Sequence, residues 1–395
     1  MFEAVAIDQV ALRAWRLDRL RAEMKARDVA AALFYDPINI RYATGSSNMQ
    51  VWVLHNPVRY VFVPLEGPIT LFDFHGCAHL SDGIEVIAEV RPARAWTYFA
   101  AGPVVDERAT LWAGEIVDLW RQWAPGGRLA VDRLEPIGVE ALTRHGIRLA
   151  DGQAVSEAAR RIKGPEEVKA MRLAIASAEA GMAAMQAALQ PGMTENEVWS
   201  ILHQVNISRG GEWIETRLLA SGQRTNPWFQ ECGHRVIETG DLVCFDTDLI
   251  GPEGYCADIS RSWRAGDGMP NDRQRRIYAI AHEQVTRNIE VLKPGMTHTE
   301  FTELGFQLPD PYRAQRYSVI AHGVGLCDEF PSVVYPEDVA MAGYEGVLEP
   351  GMTVCVESYV GEVGGPDGVK LEEQLLITET GVEVLSGYPF EERFL

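Results

Sequence analysis

Three features of this 395-residue sequence predict an α/β layer domain over 1–161 followed by an α+β domain over 162–395. The length exceeds the size at which one hydrophobic core usually stops growing, so two domains are expected. Helical and strand-type patterns alternate through the first part of the chain, as a layered α/β unit requires. A Gly-Pro break then introduces a long helical pattern and two similar half-domains.

The opening stretch from Ala11 to Lys25 is amphipathic and reads as a helix, whereas the apolar runs Ala30 to Tyr35, Tyr60 to Leu65 and Ile69 to Phe72 read as strands. Gly45-Ser46-Ser47-Asn48-Met49-Gln50-Val51-Trp52 reads as a loop, small and polar at first and aromatic at its end. In Arg161-Ile162-Lys163-Gly164-Pro165-Glu166-Glu167 the Gly-Pro pair breaks the chain. Pro165 suits a first helical turn, and the two glutamates suit its dipole. Val168, Met171, Ile175, Ala178, Met182 and Met185 follow at three- and four-residue spacing, giving one apolar face whose methionines are core filler. Leu189-Gln190-Pro191-Gly192-Met193-Thr194 is echoed by Leu292-Lys293-Pro294-Gly295-Met296-Thr297, each ahead of a helical pattern. A third Pro-Gly-Met-Thr, Pro350 to Thr353, leads into a strand, so the tetrapeptide alone is a turn signal.

A formal charge of −20 repels a phosphate backbone, and no basic stripe with interleaved aromatics offsets it, which argues against nucleic-acid binding. No uncharged apolar run reaches the ~20 residues of a membrane span. Asp8, Arg13, Arg16, Asp18 and Arg19 interrupt the opening stretch against a leader pattern, so a cytoplasmic protein is expected. The six cysteines stand singly, without the spacing of a zinc or redox motif, and read as reduced core thiols; Cys256 in particular reads as packing.

The chemistry concentrates in the second domain. Leu242-Val243-Cys244-Phe245-Asp246-Thr247-Asp248 reads as one apolar strand with Asp246 and Asp248 on the same face. After a Gly251-Pro252-Glu253-Gly254 turn, the strand Tyr255 to Ser260 returns a third acid, Asp258. Three carboxylates on adjacent strands need a compensating cation, and a divalent metal supplies one. Glu357 ends another apolar run, and alternation lets only one of Glu372 and Glu373 face the site. His322 sits at a strand end beside Gly323 and Gly325, which permit close backbone approach. Singly, such residues are ordinarily solvated acids or a core histidine. Together, one imidazole and several carboxylates suit iron, manganese, cobalt or zinc.

The order Asp-x-Asp, Asp, His, Glu, Glu resembles the creatinase/prolidase family, with its pita-bread metallopeptidase fold. The most specific matches are Gly240-Asp241-Leu242, Gly254-Tyr255-Cys256-Ala257-Asp258-Ile259-Ser260-Arg261, His322-Gly323-Val324-Gly325-Leu326 and Gly368-Val369-Lys370-Leu371-Glu372-Glu373. The resemblance covers Ile162 to about Thr380 and, more loosely, the N-terminal domain. It implies a pita-bread catalytic domain behind a creatinase-type N-terminal domain, and a homodimer with a partner's N-terminal domain, through 45–52, closing each site. It also implies one or two divalent metals per subunit, with iron the first choice, held by one or both of Asp246 and Asp248 and by Asp258, His322, Glu357 and Glu372.

Two departures set the chain apart from the family's peptidases. Those usually carry Asp-x-Gly where this chain has Asp246-Thr247-Asp248, and a second histidine where Asp328 stands. A peptidase needs a donor there for the developing oxyanion, whereas a carboxylate suits proton removal. These positions, with Tyr317, resemble a branch of the family that cleaves dimethylsulfoniopropionate. The resemblance implies a zwitterionic small-molecule substrate, with Asp328, Tyr317 and His322 at its site; Asp328 suits the base, and because aromatic faces hold a sulfonium head, Tyr317, Trp228 and Trp52 are candidates to contact it. An X-Pro dipeptidase or aminopeptidase, a creatine- or ectoine-type hydrolase and a catalytically dead scaffold are the alternatives; the last two ordinarily lose ligands that this chain keeps.

Overall fold

The computed structural model describes residues 6–395, which divide into two compact units, Ala6–Arg160 and Arg161–Leu395. The N-terminal unit runs α1 (Gln9–Ala26), β1 (Ala31–Phe34), α2 (Pro37–Thr44), α3 (Gln50–His55), β2 (Tyr60–Pro64), β3 (Ile69–Asp73), β4 (Ile87–Pro92), α4 (Tyr98–Ala101), α5 (Val105–Trp123), β5 (Arg128–Val131), α6 (Pro136–Thr143), β6 (Arg148–Asp151) and α7 (Gly152–Arg160). Its six strands form one mixed sheet in the order β4-β3-β2-β1-β5-β6. The apolar runs at 31, 60 and 69 are buried strands, and α5 lays Ala109, Trp112, Ile116 and Leu119 over them. Trp112 is fully buried against Trp96, ring centres 4.9 Å apart, and Tyr35 at 6.3 Å.

The segment 45–52 differs from the expected loop. Gly45 ends α2 at φ 76°, Met49 turns the chain again at φ 45°, and Gln50, Val51 and Trp52 then begin α3. Nothing from Gln50 to His55 breaks a helix, and burial of Val53 anchors this short one. Its outer face leaves Met49, Val51 and Trp52 exposed, with Trp52 packed edge-on to Phe74 and Phe99.

The C-terminal unit begins with α8 (Pro165–Ala188) and α9 (Glu195–Ser208). Glu167 accepts the Gly164 backbone N–H at 2.9 Å, and the same carboxylate accepts the Tyr255 hydroxyl at 2.6 Å. Just ahead of it, Lys163 donates its backbone N–H to Gly351 and sets its buried ammonium 2.9 Å from Glu329. Short strands follow: β7 (Trp213–Ile214), β8 (Leu219–Ser221), β9 (Leu242–Asp246), β10 (Leu249–Ile250), β11 (Cys256–Ala257) and β12 (Ser260–Arg264). The second half repeats the plan with α10 (Asp272–Val291) and α11 (His298–Leu304), then α12 (Asp310–Arg313), β13 (Ala321–Val324), β14 (Asp328–Val333), α13 (Val339–Ala342), β15 (Thr353–Gly361), β16 (Gly368–Ile377) and β17 (Val382–Val384).

Both echoed Pro-Gly-Met-Thr turns do the same work. Thr194 caps α9 in a box with Glu197, Thr297 caps α11 in a box with Glu300, and each threonine also bridges to a later strand-like residue, Val236 or Val347. The strands form sheets ordered β11-β10-β7, β12-β9-β8 and β14-β13-β15-β16-β17, and α10 packs on β15 and β16. Among the described residues no helix is long and apolar enough to cross a membrane. Trp112→Ala is expected to lower the unfolding free energy by about 3–5 kcal/mol, because a large buried ring leaves a cavity that its neighbours cannot fill. Chemical denaturation of the purified protein measures it.

Candidate metal centre

The aspartates come from a place where two paired strands change sheets together. β9 stops at Asp246, Asp248 adopts φ 35°, and the chain resumes as β10 in a different sheet. The returning chain does the same: β11 pairs with β10, Asp258 and Ile259 lie in the gap, and β12 pairs with β9. Thr247 pins the gap by donating its hydroxyl to Ala257 O at 2.8 Å and accepting from Ile259 N at 2.9 Å. The expectation that Asp246 and Asp248 share one strand face is therefore corrected. A positive-φ kink, not strand alternation, puts Asp246, Asp248 and Asp258 within reach of one ion.

The remaining ligands come from the five-stranded sheet. Register places Glu357 opposite Glu372 and His322 opposite Cys355, so all four side chains occupy one sheet face. Glu373 points the other way and pairs with Arg261 at 2.6 Å, leaving Glu372 to the site. The ladder slips between His322 and Gly323, where any Cβ would collide with the Phe330 carbonyl, and glycine lets the two strands close.

His322 Nε2 lies 3.4 Å from Asp258 Oδ2, 3.3 Å from Glu357 Oε1 and 3.4 Å from Glu372 Oε1. Ligands bonded at about 2.0–2.2 Å to one ion stand roughly 3–3.5 Å apart, so these four atoms fit a metal position. Asp258 Oδ1, Glu357 Oε1 and Glu372 Oε1 are buried without a hydrogen-bond partner, a costly state that a bound cation relieves. Asp246, Asp248 and Asp258 make a second grouping, of three acids.

Electrostatics agree. Burial, reinforced by Glu372, lifts Asp246 to about 6; burial also lifts Glu357 to about 8, with Glu372 adding to it and Lys370 opposing. Burial and mutual repulsion push Asp248 and Asp258 well above the carboxylate range. Glu372 goes down: burial opposes ionisation, but the Lys370 ammonium and His322 outweigh it. His322 is raised despite burial, because Asp328, Glu372 and Glu357 surround it with negative charge. Acids crowded and buried in this way hold protons more tightly than free carboxylates, and a divalent ion bound among them would displace those protons.

Sequence reasoning missed three neighbours. Lys370 is fully buried with Nζ 2.8 Å from Glu372 Oε2 and 3.1 Å from Asp246 Oδ2; it is also 2.8 Å from Glu357 Oε2, a contact of charge without hydrogen-bonding alignment. Ser260 Oγ accepts from Lys370 at 2.8 Å and lies 2.6 Å from Asp246 Oδ1 and 2.7 Å from Glu372 Oε2. Cys355, read from sequence as a core thiol, groups with Asp258, His322 and Glu372. Lys370 and Cys355 each stand two residues from a ligand on the same strand, and that spacing was the available signal.

Asp328 opens β14 with its side chain 59% exposed, and its Oδ1 stands 3.9 Å from His322 Nδ1. Partial burial, with Glu372 and Glu329 beside it, still raises its carboxyl against the pull of His322. Tyr317 is half-buried, with Lys370 Nζ 4.5 Å from its ring centre and the exposed Phe229 stacked at 5.2 Å. It lines a cavity of about 370 Å³ with Arg316, Ser318, Asp338 and Met341. Trp228 instead belongs to the hydrophobic core against Tyr359, so its neighbour Phe229 is the aromatic at Tyr317. Trp52 lies in the N-terminal unit. A separate cavity of about 210 Å³ beside His298, Thr302, Ser332 and Tyr344 holds none of the expected site residues.

Residues 169–379 match metallopeptidase family M24, and residues 16–73 match the creatinase/prolidase N-terminal domain. Dimethylsulfoniopropionate lyase DddP of Roseovarius nubinhibens is 46% identical over 96% of this chain and 86% of its own length. The protein of the same name from Roseobacter denitrificans is 45% identical over 97% and 87%. Among solved structures, an Xaa-Pro dipeptidase from Bacillus anthracis superposes with a TM-score of 0.76 over 96% of this chain and 99% of that one; at 23% identity it speaks for the fold alone. With a metal-fitting carboxylate–histidine cluster inside the matched region, this chain belongs to metallopeptidase family M24, in its creatinase/prolidase arrangement.

Proposed function

We propose that this chain is a metal-dependent lyase that cleaves dimethylsulfoniopropionate to dimethyl sulfide and acrylate. One observation carries the reading: an exposed carboxylate, Asp328, stands beside the metal-site histidine in a chain alike along nearly its whole length to two lyases of that name. An ionised acid there suits proton removal, and it is ill suited to hold the oxyanion of peptide hydrolysis.

In this reading Asp258, His322, Glu357 and Glu372 hold one ion, and Asp246, Asp248 and Asp258 hold a second where two are present; iron is our first choice. When bound, the metal supplies Lewis-acid polarisation of the substrate carboxylate, which acidifies the neighbouring carbon. Asp328 takes the α-proton, the C–H electron pair becomes the new double bond, and the β-carbon–sulfur bond breaks with its pair leaving on neutral dimethyl sulfide. Tyr317 stands at the sulfonium head, where an aromatic face stabilises positive charge without competing for the carboxylate. The domains are 1–161 and 162–395. The enzyme is a homodimer, with the exposed Met49, Val51 and Trp52 of one N-terminal domain covering the partner's site. Six free cysteines are in keeping with a cytoplasmic, reducing location.

Headspace measurement of dimethyl sulfide after addition of the sulfonium substrate, beside a Gly-Pro dipeptide control, tests the reaction itself. Elemental analysis is expected to find one or two first-row transition ions per subunit, and Asp258→Ala or His322→Ala to reduce that content; unchanged content in both variants would overturn the site. Asp328→Asn is expected to lower turnover by about 10²–10⁴ while sparing metal content. Dimethyl sulfide release near the parent rate would remove Asp328 as base. Light scattering at assay concentration is expected to report a dimer, and a fully active monomer would dismiss the shared site.

A further inference from the structure

Lys370 has no part in the proposed reaction, yet its ammonium is buried in the middle of the metal ligands. Burying such a group is costly unless geometry and charge compensate. Each contact is to a side-chain oxygen, and the division of oxygens is systematic. Glu357 and Glu372 turn Oε1 toward His322 and Oε2 toward Lys370. Asp246 gives Oδ2 to Lys370 and Oδ1 to Ser260, whose hydroxyl also receives the ammonium. The same Nζ sits over Tyr317.

We infer that Lys370 is a positioning residue of the metal centre. Its ammonium engages Oε2 of Glu357 and of Glu372, which leaves Oε1 of each facing His322 on the metal side, and it holds Asp246 through Oδ2 while Ser260 holds Oδ1. Its contact with the Tyr317 ring sets that side chain above the same carboxylates. Charge supports the assignment. Two divalent ions leave the five site carboxylates one positive charge short of balance, and the ammonium supplies it.

The metal half of this inference stands without the lyase reading, and its test separates orientation from bulk charge by sign. A lysine acting only as background charge weakens metal binding, so its removal would tighten it. A lysine that aims the ligands strengthens binding, so its removal loosens it. Zinc(II) affinity of the full chain, read by competition with a chromophoric chelator, is expected to fall 10–100-fold in Lys370→Met, with circular dichroism unchanged. Unchanged or tighter zinc binding in a folded Lys370→Met overturns the inference. Should that variant fail to fold, Ser260→Ala removes one anchor of the ammonium at little structural cost; a several-fold loss of zinc affinity is expected, and none would overturn it. The Tyr317 half rests on the proposed reaction. Lys370→Met and Tyr317→Leu are expected to raise KM non-additively for the sulfonium substrate. Additive effects would sever the link between lysine and tyrosine, whereas absence of dimethyl sulfide from the parent protein would instead defeat the lyase reading and leave the zinc result intact.

Discussion

Mutual repulsion among buried carboxylates is the constraint around which the C-terminal unit is organised. Asp246, Asp248, Asp258, Glu357 and Glu372 are each at most 7% exposed and converge from two sheets. No packing of hydrophobic groups offsets that much like charge at close range. The structure answers with the Lys370 ammonium set among these acids and with His322 beside Asp258, Glu357 and Glu372, and the crowding raises the carboxyl of Glu357. The candidate ligands are held by strand ladders and one register slip, and a bound divalent ion would remove the remaining repulsion among them.

The ladders divide the labour. One pair of strands contributes acids by breaking: β9 and β12 end where β10 and β11 begin, and Thr247 locks the break. The other sheet contributes by staying regular, with Glu357 and Glu372 directly opposed in an unbroken register. His322 combines both modes, placed by the ladder but next to a slip that brings β14, and with it Asp328, alongside. Similar capped helices in the two halves, α9 and α11, frame this arrangement.

Local signals in the sequence carried the two-domain α/β and α+β division, and the resemblance in the order Asp-x-Asp, Asp, His, Glu, Glu carried the pita-bread fold and the candidate ligands, because strand alternation and turn residues are short-range properties while the cluster is assembled across the chain. That only one of Glu372 and Glu373 faces the site, the helices after the first two Pro-Gly-Met-Thr turns and the long apolar face from Met171 to Met185 all follow from period and spacing. What escaped is tertiary. Asp248 reaches the cluster through a backbone kink that a strand reading hides, and the stretch from Gln50 to Trp52 curls into a helix because Val53 finds a buried place. Trp228 and Phe229 are adjacent and both aromatic, yet one goes to the core and the other to Tyr317; only the long-range packing of Tyr359 and Tyr317 distinguishes them. Lys370 escaped for a simpler reason: a lysine on an apolar strand ordinarily signals an exposed edge, and this one is buried by its own counter-charges.

The ties made by Lys163 and Glu167 bear on how the polypeptide wears. Connecting stretches between folded units are usually loose and are the first places a protease cuts. Here Glu167 is bonded to Tyr255, one residue ahead of the strand that leads to Asp258, and Lys163 to Glu329, next to Asp328. The first residues of the unit are therefore tied to both of its halves, through Tyr255 in one and Glu329 in the other. The stretch 163–167, which in most two-unit chains lies loose, is in this one bonded into the C-terminal unit at both ends.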